Sequence, residues 1–348
     1  MASWRDNIRQ VEPYVPGEQP KNTNVIKLNT NENPYGPSPR VKAVQDNEDL
    51  LRLYPDPTAG ALVDALAEYH GVDASQVFVG VGSDDVLAMS FLTFFNSDKP
   101  ILFPDITYSF YDVWAELFRI PYKQMPLDEN FRLKIDDYKG ENGGIVFPNP
   151  NAPTGIYESL DHVEKIIKNN PDVIVIVDEA YIDFGGETAL PLIDKYDNLV
   201  VVRTFSKSRS MAGLRISNPE LIKALNDVKY SYNSYTMNRP SLVLGVESIH
   251  DDAYFREKVG QIIATRERFV KEIAELGFTC LPSSANFVFA THESIPAKEI
   301  FAAAKENNIY VRYFDKPRID NYLRISIGTD AEMDVFVSFL SKYVKEYK

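Results

Sequence analysis

Short runs of apolar, mostly β-branched residues alternate with longer helical patterns through the first part of the chain. The runs lie at residues 77–79, 101–103, 144–147, 173–177 and 199–202. Strands that are apolar along their whole length are buried on both faces, which is typical of a parallel sheet covered by helices. The pattern predicts a doubly wound α/β fold of three layers, with a mostly parallel central sheet.

After about residue 240 the strand-like runs become fewer and the helical patterns longer. Helical patterns lie at residues 241–276, 297–307 and from 331 to the end, and strand-like segments lie at residues 286–289, 309–313 and 322–327. This arrangement indicates a smaller α+β domain. We expect a large α/β domain at residues 30–240. The small domain is expected to combine residues 241–348 with an N-terminal arm at residues 1–29.

The charge balance limits the partners that we expect. The chain has 348 residues, with 37 Lys and Arg against 50 Asp and Glu, and a formal net charge of −13. A general nucleic-acid-binding protein shows a basic face instead, so we expect no nucleic-acid partner. A small anionic substrate stays compatible with this charge, because a few local Arg residues can dominate a pocket.

The single cysteine, Cys280, cannot form an internal disulfide, which fits a reducing compartment. The N-terminal residues show no apolar run of signal-peptide length, and runs such as residues 173–177 are too short to cross a bilayer. The four His residues show no metal-ligand spacing. We therefore expect a cytoplasmic protein with no membrane partner and no bound metal.

Polar and reactive residues follow each predicted strand of the large domain, at the point where the strand ends. In an open α/β sheet, ligands bind at the carboxyl ends of the strands, so we expect these residues to converge. In chain order they are Gly82, Ser83 and Asp84; Thr107 and Tyr108; residues 149–155; Asp178, Glu179 and Tyr181; and Thr204, Ser206, Lys207 and Arg215.

This set of side chains favours one cofactor. A lysine can form a Schiff base with an aldehyde, and a buried carboxylate can pair with a pyridinium nitrogen. A Gly-Ser turn into a helix offers backbone amides to a phosphate. Lys207, Asp178 and residues 82–84 supply these groups, whereas the chain has neither a GxxxxGK[ST] motif nor an evident Ser/His/Asp set. The sequence therefore predicts a pyridoxal 5'-phosphate site.

Several motifs resemble those of a known enzyme family. The chain resembles the fold-type I, class-II pyridoxal-phosphate-dependent aminotransferases. The motifs that carry this resemblance are Asn149-Pro150-Asn151-Ala152-Pro153-Thr154-Gly155, Asp178-Glu179-Ala180-Tyr181, Ser206-Lys207 and Ala212-Gly213-Leu214-Arg215. Histidinol-phosphate aminotransferases resemble the chain more narrowly at Pro13-Tyr14-Val15-Pro16-Gly17, Asn29-Thr30-Asn31-Glu32-Asn33-Pro34-Tyr35-Gly36, Leu53-Tyr54-Pro55 and Tyr322-Leu323-Arg324-Ile325-Ser326-Ile327-Gly328. The similarity covers nearly the whole chain.

The resemblance implies a role for each residue around the cofactor ring. Lys207 is the catalytic residue, which forms the Schiff base and then moves a proton, and Asp178 pairs with the pyridinium nitrogen. Tyr181 and Asn151 hydrogen-bond the phenolic oxygen, and Tyr108 stacks on the ring. The plainer alternatives are a solvated loop lysine, a strand-end carboxylate that caps the next element, two turn residues and a core aromatic residue.

The same resemblance implies a set of phosphate ligands. They are the backbone amides of Ser83 and Asp84, the side chains of Ser206 and Arg215, and the hydroxyl of Thr204. Tyr54 reaches the cofactor phosphate of the partner subunit in a homodimer. The alternatives are that Ser83 is a helix N-cap and that Tyr54 packs locally in a Tyr-Pro turn.

Two arginines are candidates for binding the substrate. Arg324 lies in a segment of alternating pattern and can hold a substrate carboxylate with two parallel hydrogen bonds. By resemblance, Arg312 binds a substrate phosphate together with Tyr14, and Asn33 is a further substrate contact. The alternative for both arginines is an ion pair at the surface.

The resemblance implies a homodimeric enzyme of histidine biosynthesis. It exchanges an amino group between L-histidinol phosphate and 2-oxoglutarate, giving imidazole-acetol phosphate and L-glutamate. An aromatic amino acid aminotransferase is the alternative within the same fold, and a threonine-phosphate decarboxylase is a more distant one. A catalytically silent protein that binds the cofactor is a further alternative.

The chain departs from the family pattern after Arg215. Family members continue there with a strand that begins Gly-Tyr or Gly-Phe, whereas Ile216-Ser217 here runs directly into Asn218-Pro219-Glu220. A few residues of the pattern are absent. Either the strand is truncated, or the numbered sequence omits residues at this point. A truncated strand is expected to lose sheet pairing and to loosen Arg215.

Overall fold

The computed structural model describes residues 8–21, 24–44, 52–209 and 213–347, with the backbone alone for residues 213–215. Its strands are β1 (Ile26–Lys27), β2 (Val77–Val79), β3 (Ile101–Pro104), β4 (Tyr122–Met125), β5 (Ile145–Pro148), β6 (Val175–Asp178), β7 (Leu199–Thr204), β8 (Gly213–Ser217), β9 (Phe278–Cys280), β10 (Phe287–His292), β11 (Ile309–Tyr310), β12 (Arg312–Tyr313) and β13 (Leu323–Ser326). Its helices are α1 (Pro39–Ala43), α2 (Gly60–His70), α3 (Gly82–Phe94), α4 (Tyr111–Phe118), α5 (Leu160–Lys168), α6 (Pro219–Tyr232), α7 (Arg239–His250), α8 (Asp252–Ala274), α9 (Ala297–Glu306) and α10 (Asp330–Tyr347).

A seven-stranded sheet is built from β2 to β8. Its strand order is β2-β8-β7-β6-β5-β3-β4. The strands from β7 to β4 run parallel to their neighbours, and β8 runs antiparallel to both β2 and β7. The mostly parallel sheet predicted from the apolar runs is therefore confirmed.

Alternate residues of each strand pack on opposite faces of this sheet, as the pleat requires. Val175 and Val177 of β6 pack in one core with residues of α2, α5 and α7. Ile176 packs in another core with residues of α3, α4 and α6. Every residue of β5 and β6 is buried. Helices therefore cover both faces, which confirms the three layers.

A second, antiparallel sheet has the strand order β12-β13-β10-β9. It forms its own core with α8, α9 and α10, and Leu28 and Tyr181 from the earlier part of the chain pack into that core. β1 pairs in parallel with β11, which places the N-terminal segment beside β11. The domain boundaries expected at residues 30–240 and 241–348 stay a prediction.

Two elements differ from the sequence prediction. The single helix predicted over residues 241–276 is wrong, because Asp251, with φ −102° and ψ 49°, leaves the helical region and separates α7 from α8. The strand predicted over residues 309–313 is two strands, since β11 pairs with β1 whereas β12 pairs with β13. The sequence analysis also missed the strands β1, β4 and β9. In β4 only Met125 is buried, and no apolar run exists there.

The shortened sequence after Arg215 still forms a strand. β8 pairs with β7 along its whole length and with β2 at three positions, so the expected loss of sheet pairing is wrong. Asn218 follows β8 directly, and its side chain caps α6 by accepting a hydrogen bond from the Leu221 amide at 3.0 Å. The strand and the helix are thus joined by one capping residue.

Two further observations concern the described residues as a whole. None of their helices combines the length and the apolar character that crossing a membrane requires. No three His, Cys, Asp or Glu side chains of this part of the chain come together as a metal-binding group.

Burial raises the pKa of the Cys280 thiol to about 12.

Substitution of Ile216 by Ala tests the packing of β8. Ile216 is fully buried in the core beside β7 and β2, so its truncation leaves a cavity. We expect Ile216→Ala to lower the free energy of unfolding by about 2–5 kcal/mol, measured by urea denaturation. Val335→Ala, at a position of α10 that is 52% exposed, is the control and should change it by less than about 0.5 kcal/mol. Equal losses for the two variants would contradict the packing.

Candidate active site

A buried carboxylate lies at the carboxyl end of β6. Asp178 is 3% exposed. Its Oδ2 accepts a hydrogen bond from the Tyr111 hydroxyl at 2.9 Å, and its Oδ1 accepts one from the Ala180 amide at 3.2 Å. The bond to Ala180 is a turn contact two residues along the chain and not a helix cap, because Tyr181 is the N-cap of the following turn at Ile182–Phe184. The other oxygen faces Tyr111. Donors are required here because a carboxylate loses its hydration on burial.

Tyr111 is a residue of this site that sequence reasoning missed. It lies at the start of α4 and is fully buried. Burial and the charge of Asp178 hold the pKa of the phenol well above its ordinary value, so Tyr111 stays a protonated donor. Its partner lies 67 positions away along the chain, so no local pattern of the sequence indicated this contact.

A buried polar cluster around Asn31 joins the N-terminal segment to both sheets. Asn31 Nδ2 donates to the Tyr181 hydroxyl at 2.9 Å. The Ser326 hydroxyl donates to Asn31 Oδ1 at 3.0 Å and accepts from the Asn31 amide at 2.8 Å. Asn286 Nδ2 donates to the Asn31 carbonyl at 3.0 Å. Asn31 has φ 56°, which asparagine tolerates better than most residues, and the cluster fixes the Tyr181 hydroxyl.

Two buried polar atoms follow β5 and β3 with no hydrogen-bond partner among the described residues. They are Asn151 Oδ1 and Thr107 Oγ1. The other end of the Asn151 amide donates to the Ile106 carbonyl at 3.1 Å and to Thr154 Oγ1 at 3.0 Å. Unpaired buried polar atoms are costly, so this edge of the sheet is suited to a polar ligand.

Lys207 lies in the turn that follows β7. Its Nζ donates to the Thr30 carbonyl at 3.4 Å. The turn begins with Thr204, whose Oγ1 donates to Ser206 Oγ at 2.8 Å and accepts from the Ser206 amide at 3.1 Å. Both hydroxyls implied as phosphate ligands therefore lie together beside Lys207. The side chain of Arg215, the other implied ligand, lies outside the described part of the chain.

Asn33 contacts the backbone beside Lys207. Its Nδ2 donates to the Ser208 carbonyl at 2.9 Å, and its Oδ1 accepts from the Tyr35 amide at 2.9 Å. Both ends of the side chain are thus engaged within the protein. The structure shows Asn33 as a support of the lysine turn, and its contact with substrate stays a prediction.

The first turn of α3 follows β2. The N-cap is Val81, so the alternative that Ser83 is the N-cap is wrong. Gly82 has φ +82°, a conformation that favours glycine. Asp84 Oδ1 accepts a hydrogen bond from the Tyr108 hydroxyl at 2.8 Å, and burial together with Asp84 raises the pKa of Tyr108. The structure thus brings the ring of Tyr108 to this helix end.

Two arginines are paired across the small sheet. Arg312 of β12 and Arg324 of β13 are direct partners in the antiparallel ladder. Arg312 donates to the Val15 and Pro16 carbonyls at 3.3 Å, and Arg324 donates to the Asn29 carbonyl at 3.0 Å. Within the described residues neither guanidinium forms an ion pair with a carboxylate, and Arg324 Nε is buried without a partner. The alternative of surface ion pairs finds no counterpart there.

The electrostatics of this pair favour a bound anion. Like charges opposite each other on a sheet repel. Burial lowers the pKa of Arg324, and the charge of Arg312 lowers it further. Both guanidinium groups lie over the ring of Phe314, at 5.4 and 5.5 Å from its centre. An anion between them would relieve the repulsion and satisfy the unpaired Nε.

A cavity of about 550 Å³ adjoins Arg312. Its lining includes Tyr14, Thr107, Arg312 and Phe314. Tyr14 stacks on Phe110 at 4.2 Å between ring centres, which holds the N-terminal arm against the start of α4. The volume is in the range of small-molecule sites.

Tyr54 lies apart from these groups. It is 78% exposed, and its ring stacks on Tyr235 at 4.6 Å. Tyr232 and Tyr235 are exposed as well. Clustered exposed aromatic rings are typical of an interaction surface. The implied reach of Tyr54 to a partner subunit stays a prediction.

Comparison with known proteins agrees with this arrangement. A family model described as aminotransferase class I and II matches residues 23–340, so the site belongs to an aminotransferase of that class. The histidinol-phosphate aminotransferase of Lactococcus lactis subsp. cremoris (strain MG1363) is 52% identical, covering 99% of this chain and 98% of that protein. That of Clostridium botulinum (strain Kyoto / Type A2) is 49% identical, covering 99% of each. The chain therefore belongs to the histidinol-phosphate aminotransferase family.

A solved structure shows the same fold. Histidinol-phosphate aminotransferase from Sinorhizobium meliloti, in complex with pyridoxal-5'-phosphate, superposes with a TM-score of 0.84 at 22% identity. The match covers 93% of this chain and 92% of that one. This likeness supports the three-layer architecture and its second sheet.

Substitution of Tyr111 by Phe tests the hydrogen bond to Asp178. The change removes one hydroxyl in a fully buried site and leaves the carboxylate with one donor fewer. We expect the free energy of unfolding to fall by about 1–3 kcal/mol in urea denaturation. The matched control is Tyr138→Phe, a buried tyrosine whose hydroxyl has no partner among the described residues. It should be neutral or stabilising, and equal losses in the two variants would argue against a role for the Asp178 bond.

Proposed function

We propose that the chain is a pyridoxal 5'-phosphate-dependent transaminase of histidine biosynthesis. It exchanges an amino group between L-histidinol phosphate and 2-oxoglutarate, giving imidazole-acetol phosphate and L-glutamate. The observation that carries the proposal is the opposed pair Arg312 and Arg324, of which Arg312 lines the cavity. One substrate carries a phosphate and the other carries carboxylates, and a guanidinium can pair with either anion. Membership of the histidinol-phosphate aminotransferase family supports the same pair of substrates.

The residues at the carboxyl edge of the large sheet fit this cofactor. Asp178 is a buried carboxylate of the kind that a pyridinium nitrogen neutralises. Asn151 Oδ1, which has no partner among the described residues, would accept a hydrogen bond from the phenolic hydroxyl, and Lys207 supplies the amine. When bound, pyridoxal phosphate supplies an aldehyde for that amine and a protonated ring that withdraws electrons from the substrate carbon.

The remaining contacts would hold the ring and the phosphate. The amides of Ser83 and Asp84 lie in the first turn of α3, where backbone N–H groups lack intrahelical acceptors. Ser206, Thr204 and Arg215 would complete the phosphate site. Tyr108 would stack on the ring, and Tyr181, held by Asn31, would hydrogen-bond the phenolic oxygen.

Lys207 would be the general base of the reaction. An amine at the end of a flexible side chain can take the proton from the substrate carbon. The Nζ of Lys207 contacts the Thr30 carbonyl at 3.4 Å, a weak bond that leaves the amine free to move. Thr30 belongs to the N-terminal segment whose Asn29 carbonyl accepts from Arg324, so one segment joins the base to the anion site.

The two arginines would divide the anions between them. Arg312 lies beside Tyr14 at the cavity and would bind the phosphate of histidinol phosphate. Arg324 donates to the Asn29 carbonyl, next to the Thr30 carbonyl that accepts from Lys207, and would bind the carboxylate of glutamate and 2-oxoglutarate. Each contact would be a charge-assisted hydrogen bond, stronger than a neutral one.

Substitution of the arginines tests the substrate assignment. We expect Arg312→Ala to lower kcat/KM for L-histidinol phosphate well over tenfold, since losing a buried charge pair costs on the order of 2–5 kcal/mol. L-Phenylalanine has no second anion and should be nearly indifferent to Arg312→Ala. Arg324→Ala should impair both half-reactions, because it removes the carboxylate contact and also the bond to Asn29, whose neighbour Thr30 contacts Lys207. The control is Arg268→Ala, a surface arginine of α8 that pairs with Glu272, Asp330 and Asp334.

The same panel of substrates decides between the alternatives. Wild-type preference for phenylalanine or tyrosine would replace the assignment by an aromatic amino acid aminotransferase. Release of CO₂ from L-threonine phosphate would favour the decarboxylase. Binding of the cofactor without turnover of any of these substrates would favour the silent binding protein.

The enzyme is proposed to act as a cytoplasmic homodimer in which Tyr54 reaches the cofactor phosphate of the partner subunit. The exposed stack of Tyr54 on Tyr235 supports an interface at this surface. The Pro-flanked segment around Tyr54 suits a fixed reach from a loop.

A complementation experiment tests the shared site. Lys207→Ala and Tyr54→Ala chains should each be nearly inactive, and we expect mixing them under exchange conditions to restore part of the activity. In the heterodimer one site then carries both lesions and the other carries neither. No recovery, with heterodimers verified by mass, would mean that each site is built from one chain. Tyr54→Phe serves as the mild comparison because it removes only the hydroxyl.

A further inference from the structure

Arg209 lies two residues after Lys207 and points into the protein. Its side chain is 3% exposed. Nη1 donates to the Ser248 carbonyl at 2.6 Å, and Nη2 donates to Asp252 Oδ1 at 2.9 Å. Ser248 is in the last turn of α7 and Asp252 is the first residue of α8. The guanidinium therefore ties the lysine turn to the junction of two helices.

Aromatic rings enclose this guanidinium. Its central carbon lies 3.7 Å from the ring centre of Phe255, 5.0 Å from that of Tyr69 and 5.7 Å from that of Phe205. The Tyr69 hydroxyl donates to the same Asp252 oxygen at 2.8 Å. Charge, hydrogen bonds and ring faces together define one position for Arg209.

The turn that carries Lys207 is short and depends on such contacts. The Arg209 amide donates to the Phe205 carbonyl at 2.9 Å and so closes the turn around Lys207. Ser208 is held separately, since its hydroxyl donates to Asp183 at 2.6 Å and its carbonyl accepts from Asn33. Arg209 is thus the side chain that fixes the far end of the turn.

Stability alone does not account for a charged group at this place. Burial of an ion pair costs desolvation energy that its attraction roughly repays, so an apolar side chain of similar size would serve the core as well. A guanidinium with fixed partners instead specifies direction and distance. This property matters for the residue two positions before it, whose amine has to meet a reacting carbon.

We propose that Arg209 is a positioning residue for Lys207, holding the end of its turn against α7 and α8 so that Nζ is presented to the cofactor. The inference rests on the proposed function, in which Lys207 bonds pyridoxal 5'-phosphate. Loss of Arg209 leaves the contacts of Ser208 in place but frees the far end of the turn. Misplacement of a reacting group by about 1 Å costs on the order of a hundredfold in rate.

The experiment compares Arg209→Met, Arg209→Lys and Arg266→Met with wild-type protein. Arg266 is a buried arginine of α8 that donates to the Phe184 and Ala285 carbonyls, so it is matched in burial and charge. Each protein, freed of cofactor, is mixed with pyridoxal 5'-phosphate, and the rate of bond formation at Lys207 is followed by visible absorbance in stopped flow. The apparent pKa of that absorbance and the thermal unfolding of the cofactor-free protein are measured as well.

We expect Arg209→Met to form the bond on the order of ten to a hundred times more slowly than wild type, with a shifted absorbance titration. Arg209→Lys should be intermediate, because it keeps the charge but cannot reach both partners. Arg266→Met should keep the wild-type rate and titration even where its Tm falls.

Three outcomes would overturn the inference. A wild-type rate and titration in Arg209→Met would refute the positioning role and leave the proposed function intact. Loss of folding in both Arg209 variants, with Arg266→Met folded, assigns Arg209 to the fold instead. Wild-type protein that gains no absorbance from Lys207 refutes the proposed function together with the inference.

Discussion

A carboxylate buried at the end of an apolar strand is the constraint on which the rest of the site depends. β6 lies between β5 and β7 and is buried on both faces. The carboxylate of Asp178, its last residue, is therefore shielded from water. Tyr111 and the Ala180 amide compensate part of this cost. Parallel neighbours on either side bring Asn151 and Lys207 to the same edge. In the proposed function, this carboxylate pairs with the protonated nitrogen of the cofactor ring.

The proposed anion-binding groups come from the other sheet. Arg312 and Arg324 are partners in a short antiparallel ladder, and the N-terminal segment bridges them to Lys207 through backbone carbonyls. Asn31 reinforces this bridge by bonding Tyr181 from one sheet and Ser326 from the other. The site is therefore assembled from three stretches of chain that only the fold brings together.

Sequence position was sufficient to predict that Asp178, Asn151 and Lys207 follow strands at one edge of the sheet, because parallel strands end at the same edge. Their roles at the site stay predictions. Sequence position was insufficient for residues whose partners are distant along the chain. Tyr111 bonds Asp178 across 67 positions, and Arg209 bonds Ser248 across 39. No local pattern distinguishes such a tyrosine or arginine from an ordinary core or surface residue. The break at Asp251 and the division of residues 309–313 also depend on which partner each segment meets.

The central claim is that Lys207 carries the cofactor, and reduction followed by peptide mapping tests it most directly. Borohydride fixes a Schiff base as a stable secondary amine, and trypsin does not cleave at the modified lysine. The label should lie on the peptide of residues 204–209, between the cleavage sites at Arg203 and Arg209. Lys207→Ala protein should carry no label. A label on another lysine, or none on wild-type protein incubated with pyridoxal 5'-phosphate, would contradict the account.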